Sequence, residues 1–192
     1  MKIYALILAG GEGKRAGGDK LSKVIKEKPM LEWVIENTKK AKFTDIILIS
    51  GKEVEFCNLM ARKHNIIHVY NEEWHLGMGY TLKKGIENLP KDIDGFAIVL
   101  GDMPFIKPET MNLLIEEFFN YKDIVVPVFN GRKGHPPIFP LKYAEEMKKV
   151  CKDIGAREII KKYQNRVRLV ETNDVGILLD IDTLSELREI EV

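Results

Sequence analysis

Short apolar runs rich in β-branched residues alternate along the chain with stretches whose hydrophobic residues recur at helical spacing. The apolar runs predict strands at 3–9, 46–49, 66–70, 96–100, 124–129, near 138, at 167–170 and at 177–179. The helical spacing predicts helices at 31–35 and beyond, 53–64, 80–89, from 108 onward, and two more between 138 and 167. This alternation predicts a three-layer α/β fold, in which a mostly parallel, Rossmann-like sheet carries helices on both faces.

Length and composition favour a single globular domain over residues 1–192. The chain is 45% hydrophobic and 31% charged, which is typical of a folded protein. Its 30 basic and 29 acidic side chains nearly cancel, so we expect no nucleic-acid partner. No apolar stretch approaches the roughly 20 residues of a membrane span, so we expect no membrane partner and a cytoplasmic location. Cys57 and Cys151 lack metal-ligand or disulfide spacing and are expected to be reduced thiols.

A glycine-rich segment directly follows the first predicted strand. Residues 10–18, called here the glycine loop, contain five of the glycines. Glycine allows positive φ angles and lets backbone N–H groups converge on an anion beyond the carboxyl end of a parallel strand. Lys14, Arg15 and Lys20 add positive charge at the same place, as a triphosphate requires. The segment therefore predicts a phosphate-binding site rather than an ordinary turn with solvated charges.

A dinucleotide-binding motif competes for this interpretation. Gly11, Gly13 and Ala16 satisfy the Gly-x-Gly-x-x-Ala spacing of that motif. The motif also needs an acidic residue about 20 positions on, near the end of the second strand. Glu32 and Glu36 fall at that distance but lie in a predicted helix. A P-loop is excluded because the chain has no Gly-Lys-Ser or Gly-Lys-Thr triplet. A nicotinamide-dependent oxidoreductase thus stays open as an alternative.

Two carboxylates follow predicted strands in positions where they could hold magnesium. Asp102 comes just after the strand at 96–100, and Asp182 precedes Thr183 and a short predicted helix. Magnesium prefers hard oxygen ligands and often joins carboxylates to substrate phosphates. From the residues alone, Asp102 could equally be a turn or capping residue, and Asp182 could be the N-cap of its helix.

Several motifs resemble the nucleotidyltransferase superfamily. Residues 6–15, followed by Lys20, are similar to its signature Leu-x-Ala-Gly-Gly-x-Gly-x-Arg plus a lysine. Segments 71–82, 131–137 and 152–157 resemble elements of its molybdenum cofactor cytidylyltransferase branch in particular. The whole chain resembles the molybdenum cofactor cytidylyltransferases and guanylyltransferases, the MobA-like NTP transferases. The resemblance extends from residue 5 to about 187. It implies a nucleotide-diphospho-sugar transferase (GT-A-like) architecture, with a nucleotide-binding half at 1–105 and an acceptor-binding half at 106–192.

The resemblance also implies roles for individual residues. Those expected to bind the nucleotide are Leu8, Ala9, Gly10, Gly11, Gly13, Arg15, Lys20, Gly77, Met78 and Thr81. Those expected to act in catalysis are Arg15, Lys20 and Asp102. Asp102 and Asp182 are expected to hold Mg²⁺, whereas His135, Asp153 and Arg157 are expected to bind the acceptor. Taken by themselves, His135 and Arg157 could equally be surface residues.

The expected activity is the magnesium-dependent transfer of a nucleoside monophosphate from an NTP to a small phosphorylated acceptor. By resemblance that acceptor is molybdopterin, and a molybdoenzyme or a chaperone would receive the product. The later motifs favour CTP, whereas Ala9-Gly10-Gly11 in the first loop is closer to the guanylyl members and favours GTP. Sugar phosphates, phospholactate and cobinamide phosphate are alternative acceptors within the superfamily.

Overall fold

A twisted central sheet organises the protein in the computed structural model, which describes residues 1–11, 19–149 and 155–181. Eight strands form this sheet in the order β10-β7-β9-β6-β1-β4-β5, with β8 paired to β7, whereas β2 and β3 form a separate hairpin. The strands, numbered along the chain, are β1 (Ile3–Ala9), β2 (Val24–Ile25), β3 (Lys28–Pro29), β4 (Asp45–Ser50), β5 (Ile67–Tyr70), β6 (Gly95–Leu100), β7 (Ile124–Phe129), β8 (Arg132–Lys133), β9 (Ile138–Pro140) and β10 (Val167–Glu171).

Helices cover both faces of the sheet. They are α1 (Met30–Lys40), α2 (Val54–His64), α3 (Met78–Glu87), α4 (Pro108–Tyr121), α5 (Ala144–Lys149) and α6 (Gly155–Lys162). Helices α1, α2 and α4 pack on one face through residues such as Leu31, Cys57 and Phe118. Helices α3, α5 and α6 pack on the other face, and Leu82 and Ile159 belong to that core. The predicted three-layer α/β fold is confirmed.

The register of the central strands aligns the site. Strand β1 pairs in parallel with both β4 and β6, and Leu8 lies opposite Leu100. The carboxyl ends of β1 and β6 therefore meet at one edge of the sheet, which is where α/β proteins bind their ligands. Strand β9 lies antiparallel between β6 and β7, so the sheet is mixed on that side.

Most predicted elements are confirmed, and helix α3 starts two residues earlier than predicted. The predicted strand at 177–179 is wrong, because Val175–Leu178 forms a 3₁₀ helix. The Asp174 carboxylate accepts a hydrogen bond from the Gly176 amide at 2.9 Å, which bends the chain. A Cβ on Gly176 would lie 2.2 Å from the Phe105 carbonyl oxygen, so the turn also packs tightly against the neighbouring loop. The β2–β3 hairpin and β8 are further elements that the hydrophobic pattern does not predict.

Two other expectations concern the cysteines and a membrane span. Cys57 is a free, buried thiol, and burial raises its pKa to about 12. Cys151 lies outside the described residues. No helix within the described ranges is both long and apolar enough to span a membrane. The division into halves at residues 105 and 106 stays a prediction.

A buried carboxylate ties β7 to the segments that flank α5 and α6. Asp123 accepts hydrogen bonds from Lys142 at 2.8 Å and from the Tyr143 hydroxyl at 2.9 Å, and Arg166 lies 3.4 Å away. Burial by itself would raise the pKa of Asp123, but the hydrogen bonds from Lys142, Tyr143 and the Ile124 amide outweigh it, so this pKa lies below its usual value. The ionised form therefore stabilises this side of the molecule.

We predict that Asp123→Asn lowers the free energy of unfolding by about 2 kcal/mol at pH 7, measured by urea denaturation. Because the pKa is depressed in the folded state, the difference from the wild type is full above the unfolded pKa of about 4. It should shrink as the pH falls through the lower, folded pKa. Asp92→Asn is the control, since Asp92 is exposed and pairs with Lys2 at the surface. An equal loss in both variants, or a loss independent of pH, would contradict this account.

Candidate functional site

The candidate site begins where β1 and β6 end side by side. Ala9 is the last residue of β1, and Gly10 and Gly11 follow it. The Gly101 amide donates a hydrogen bond to the Leu8 carbonyl at 2.9 Å, which ties the residue before Asp102 to the start of the glycine loop. Asp102 is thereby brought next to the loop that the sequence predicts to bind phosphate.

Lys20 and Asp102, both predicted catalytic residues, contact each other directly. The Lys20 ammonium lies 2.8 Å from an Asp102 carboxylate oxygen. The Lys20 side chain is 10% exposed, whereas the Asp102 side chain is 26% exposed. A mostly buried cation thus faces a carboxylate that is still open to solvent. This pair can present a positive charge to a phosphate and an oxygen ligand to a metal at the same position.

The end of the described chain also reaches Asp102. The Ile181 amide donates a hydrogen bond to the Asp102 carbonyl at 3.1 Å. Asp182, the predicted second metal ligand, comes next in the sequence but lies outside the described residues. Gly13, Arg15 and Asp153 also lie outside them, so their predicted roles stay predictions.

Thr81 lies beneath the glycine loop. Its side chain is fully buried, and its hydroxyl accepts a hydrogen bond from the side-chain amide of Asn71 at 3.2 Å. A Cβ on Gly10 would lie 2.2 Å from the Thr81 hydroxyl oxygen, so position 10 requires glycine. Thr81 was predicted to contact the nucleotide, and the structure gives its side chain a supporting position below the Gly10 backbone.

The turn between β4 and α2, residues 51–53, contacts the chain at Gly10 and again just after Lys20. At one end, a Cβ on Gly51 would lie 2.8 Å from Gly10 atoms, so the two backbones are in close contact. At the other end, the Glu53 carboxylate accepts hydrogen bonds from the Leu21 amide at 3.0 Å and the Ser22 amide at 3.1 Å. The β4–α2 turn therefore fixes the backbone on which Lys20 is carried.

A cleft of about 770 Å³ opens beside this edge of the sheet and joins residues from the two predicted halves. One wall is uncharged and is formed by Leu8, Met78, Gly79, Leu82, Leu100 and Met103. The other wall is formed largely by Arg132, Lys133, Gly134, His135, Arg157 and Lys161. Met78 also approaches Gly11, because a Cβ there would lie 3.6 Å from the Met78 methyl carbon. Gly77, at φ 116°, precedes α3 and turns the chain into this wall.

His135 lies in the cleft with an unused nitrogen. Its Nδ1 is buried and makes no hydrogen bond within the part of the chain that the structure describes. Burial lowers the pKa of His135, although a hydrogen bond to the Ile98 backbone and the charge of Asp102 act in the opposite direction. The nearby Arg157 lowers this pKa further. The ring is therefore neutral near pH 7. Asp102 and Arg157 are both close enough to act on its pKa, in opposite directions.

A separate group of metal-ligating side chains lies on α1 and α2. Atoms of Glu32, Glu36 and His64 come within 4.8 Å of one another. Glu32 already contacts Lys63 at 2.6 Å and His64 at 2.9 Å, and Lys28 contacts Glu36 at 2.8 Å. The hydrogen bond from Lys63 is the main cause of the lowered pKa of Glu32. We interpret this group as an ion-pair network that joins the two helices.

Glu53 and the cations of the second wall are not among the predicted site residues. Glu53 belongs to none of the recognised motifs, and a single glutamate before a helix carries no signal of long-range contacts. Arg132 and Lys133 lie in the recognised segment 131–137, but the sequence predicts no role for them or for Lys161. The Asn130-Gly131 pair was an available signal, since it is typical of a tight hairpin and predicts that the next two residues lie beside β7.

Comparison with known proteins supplies the family. The family model described as the MobA-like NTP transferase domain matches residues 5–167. The chain belongs to the MobA-like NTP transferase family.

Curated relatives of this MobA-like chain are longer than it is. It is 36% identical over 141 residues to the bifunctional protein GlmU of Acetivibrio thermocellus, which covers 69% of this chain and 30% of that protein. It is also 33% identical over 141 residues to the probable molybdenum cofactor guanylyltransferase of Natranaerobius thermophilus. That match covers 71% of this chain and 64% of that protein. The chain thus matches less than two thirds of the length of either relative.

Solved structures share the fold of this MobA-like domain. The crystal structure of Rv0371c from Mycobacterium tuberculosis H37Rv superposes with a TM-score of 0.88 at 21% identity, covering 100% of this chain and 98% of that one. A structure of that protein in complex with manganese gives a TM-score of 0.83. The predicted architecture is therefore shared with solved proteins over the full length of the chain.

We predict that Glu53→Gln weakens binding of a magnesium–nucleoside triphosphate about fivefold to tenfold in titration calorimetry. The substitution replaces one acceptor oxygen with an amide group that cannot accept the Leu21 or Ser22 N–H, so Lys20 loses its fixed position. Binding of the corresponding monophosphate should change much less. Glu55→Gln is the matched control, because Glu55 is exposed and lies two residues away, in the first turn of α2. Equal weakening of triphosphate and monophosphate, or no difference from the control, would contradict this role.

Proposed function

We propose that the protein transfers the nucleoside monophosphate of CTP to a phosphorylated acceptor, with magnesium, and releases pyrophosphate. The observation that carries this proposal is the contact of Lys20 with Asp102 at the carboxyl edge of β1 and β6. Nucleotide transfer to a phosphate needs a cation for the phosphates and a carboxylate for a metal at one point. Membership of the MobA-like NTP transferase family supports the same reaction.

The nucleotide is assigned to the side formed by β1, the glycine loop and the start of α3. Ala9, Gly10 and Gly11 offer backbone N–H groups, and Leu8 and Met78 provide an uncharged wall in the cleft. Thr81 and Gly51 hold the Gly10 backbone from below. Lys20, together with Gly13, Arg15 and Gly77 as the family resemblance implies, would contact or enclose the phosphates. Where Gly10 is already held in this way, less entropy is lost when the triphosphate binds.

The acceptor is assigned to the opposite wall, with His135, Arg157 and, by resemblance, Asp153. An oxygen of the acceptor phosphate attacks the α-phosphorus in line and forms a new P–O bond. The bond between the α-phosphorus and the bridging oxygen breaks, and its electron pair leaves with pyrophosphate. A phosphate is already ionised near pH 7, so the reaction requires no strong base, and positioning with charge neutralisation accounts for catalysis.

The donor set at the carboxyl edge fits magnesium. Asp102 offers a partly exposed carboxylate oxygen, and the hydrogen bond from the Ile181 amide brings the last described residue to the same place. We assign Asp102 and Asp182 as the residues that would hold Mg²⁺, which when bound neutralises charge on the phosphates. Lys20 then exchanges its contact with Asp102 for a phosphate oxygen, which keeps the local charges balanced.

We favour CTP because segments 71–82, 131–137 and 152–157 resemble the cytidylyltransferases, and we propose molybdopterin as the acceptor on the same resemblance. A molybdoenzyme or a chaperone would then receive the product. GTP is the second candidate, favoured by Ala9-Gly10-Gly11 and by the similarity to a molybdenum cofactor guanylyltransferase. An NAD-dependent oxidoreductase is disfavoured by the family match.

The test is pyrophosphate release from CTP, GTP, ATP or UTP with molybdopterin and magnesium. We expect CTP to be the preferred substrate and Asp102→Asn to reduce turnover about 100-fold or more, with an unchanged circular dichroism spectrum. Asp92→Asn makes the same chemical change at the surface and should leave turnover unaltered. A preference for GTP would mean that the site binds guanine rather than the assigned cytosine. Full activity of Asp102→Asn, or full activity in the presence of a chelator, would refute the proposed mechanism.

A further inference from the structure

We propose that the acceptor carries a second anionic group besides its reacting phosphate, and that Arg132, Lys133, Arg157 and Lys161 bind it. This inference rests on the proposed function and concerns the acceptor wall of the same cleft. All four cations line the cleft, and Asp180 is the acidic residue that lines it with them. The described wall therefore has a clear excess of positive charge, although the whole chain carries only +1.

The hairpin formed by β7 and β8 carries Arg132 and Lys133. Asn130 and Gly131 both have positive φ, at 49° and 75°, which is the backbone of a tight hairpin turn. Phe129 pairs with Arg132 and Val128 pairs with Lys133, so the register of β8 against β7 is fixed. The two cations are thereby held at the rim of the cleft by backbone hydrogen bonds rather than carried on a long loop.

Helix α6 presents the other two cations. Arg157 and Lys161 are four residues apart and therefore lie on one face of the helix. Ile160 also lines the cleft, so this face borders the apolar core. Lys162, the next residue, points elsewhere and contacts Glu146 at 2.5 Å. On α6, Lys162 thus forms an ion pair away from the cleft, whereas Arg157 and Lys161 line the cleft.

The placement of these charges favours the acceptor over the nucleotide. None of the four is among the residues assigned to the triphosphate or the metal. Those come from β1, the glycine loop, Lys20, the turn after β6, the start of α3 and Asp182. No ion pair engages any of the four among residues 1–11, 19–149 and 155–181. A cleft lined by one sign of charge raises the local concentration of an oppositely charged ligand. Four cations exceed what one reacting phosphate requires, so a second anionic group accounts for them.

The experiment compares two small probes that differ by one carboxylate, glycerol 3-phosphate and 3-phosphoglycerate. Their dissociation constants are measured by ligand-observed NMR on the full chain, saturated with magnesium and a CTP analogue whose α–β bridge is not cleavable. We expect 3-phosphoglycerate to bind about fivefold more tightly. The ratio should fall to about one in the double variant Arg132→Gln/Lys161→Gln.

The control Lys162→Gln/Arg168→Gln removes the same charge from residues that pair with Glu146 and Glu117, and it should keep the wild-type ratio. Equal binding of the two probes, no binding of either at millimolar concentration, or an unchanged ratio in the first variant would overturn the inference. So would a loss of affinity for the CTP analogue in that variant. Failure of the wild type to bind the CTP analogue would instead refute the proposed function, so the two failures are distinguishable.

Discussion

The parallel pairing of β1 with β6 is the constraint on which the rest of the site depends. Leu8 lies opposite Leu100, and the Gly101 amide binds the Leu8 carbonyl, so both strands end at the same level. Leu6 and Leu8 of β1 pack in the core on one face of the sheet, and Ala5, Ile7 and Ala9 pack in the core on the other. A shift of one residue would exchange these two sets between the cores, which makes the register strongly specified. The contact between Lys20 and Asp102 follows from this register, because one residue comes from the loop after β1 and the other from the turn after β6.

Contacts from neighbouring segments hold the backbone at Gly10 and just after Lys20. Glycine adds backbone freedom, and ordering it on folding costs more entropy than ordering any other residue. Thr81 and Gly51 offset this cost at Gly10, and Glu53 binds the amides that follow Lys20. We therefore expect Gly51 and Glu53 to affect the site through the backbone that they hold. The second wall, built on β7, β8 and α6, is anchored separately through Asp123.

Much of the fold could be predicted because buried parallel strands and amphipathic helices have different hydrophobic periods. The glycine loop and Asp102 could be proposed as a candidate site because phosphate and magnesium sites require particular residue types in particular places. That they bind phosphate and magnesium stays a prediction. The 3₁₀ helix at Val175–Leu178 could not, because Asp174 and Phe105 impose it through contacts that an apolar run does not reveal. Glu53 and the buried position of Thr81 were also beyond the sequence, because both are defined by segments that meet only in the folded chain.

The most direct measurement is a crystal structure with manganese and an uncleavable CTP analogue, with the metal located by its anomalous scattering. The account predicts a manganese ion bound to the Asp102 carboxylate and the analogue's triphosphate on the glycine loop. It also predicts that the Lys20 ammonium has moved from Asp102 to a phosphate oxygen. Manganese at Glu32, Glu36 and His64 with none at Asp102, or a triphosphate bound away from the glycine loop, would contradict it.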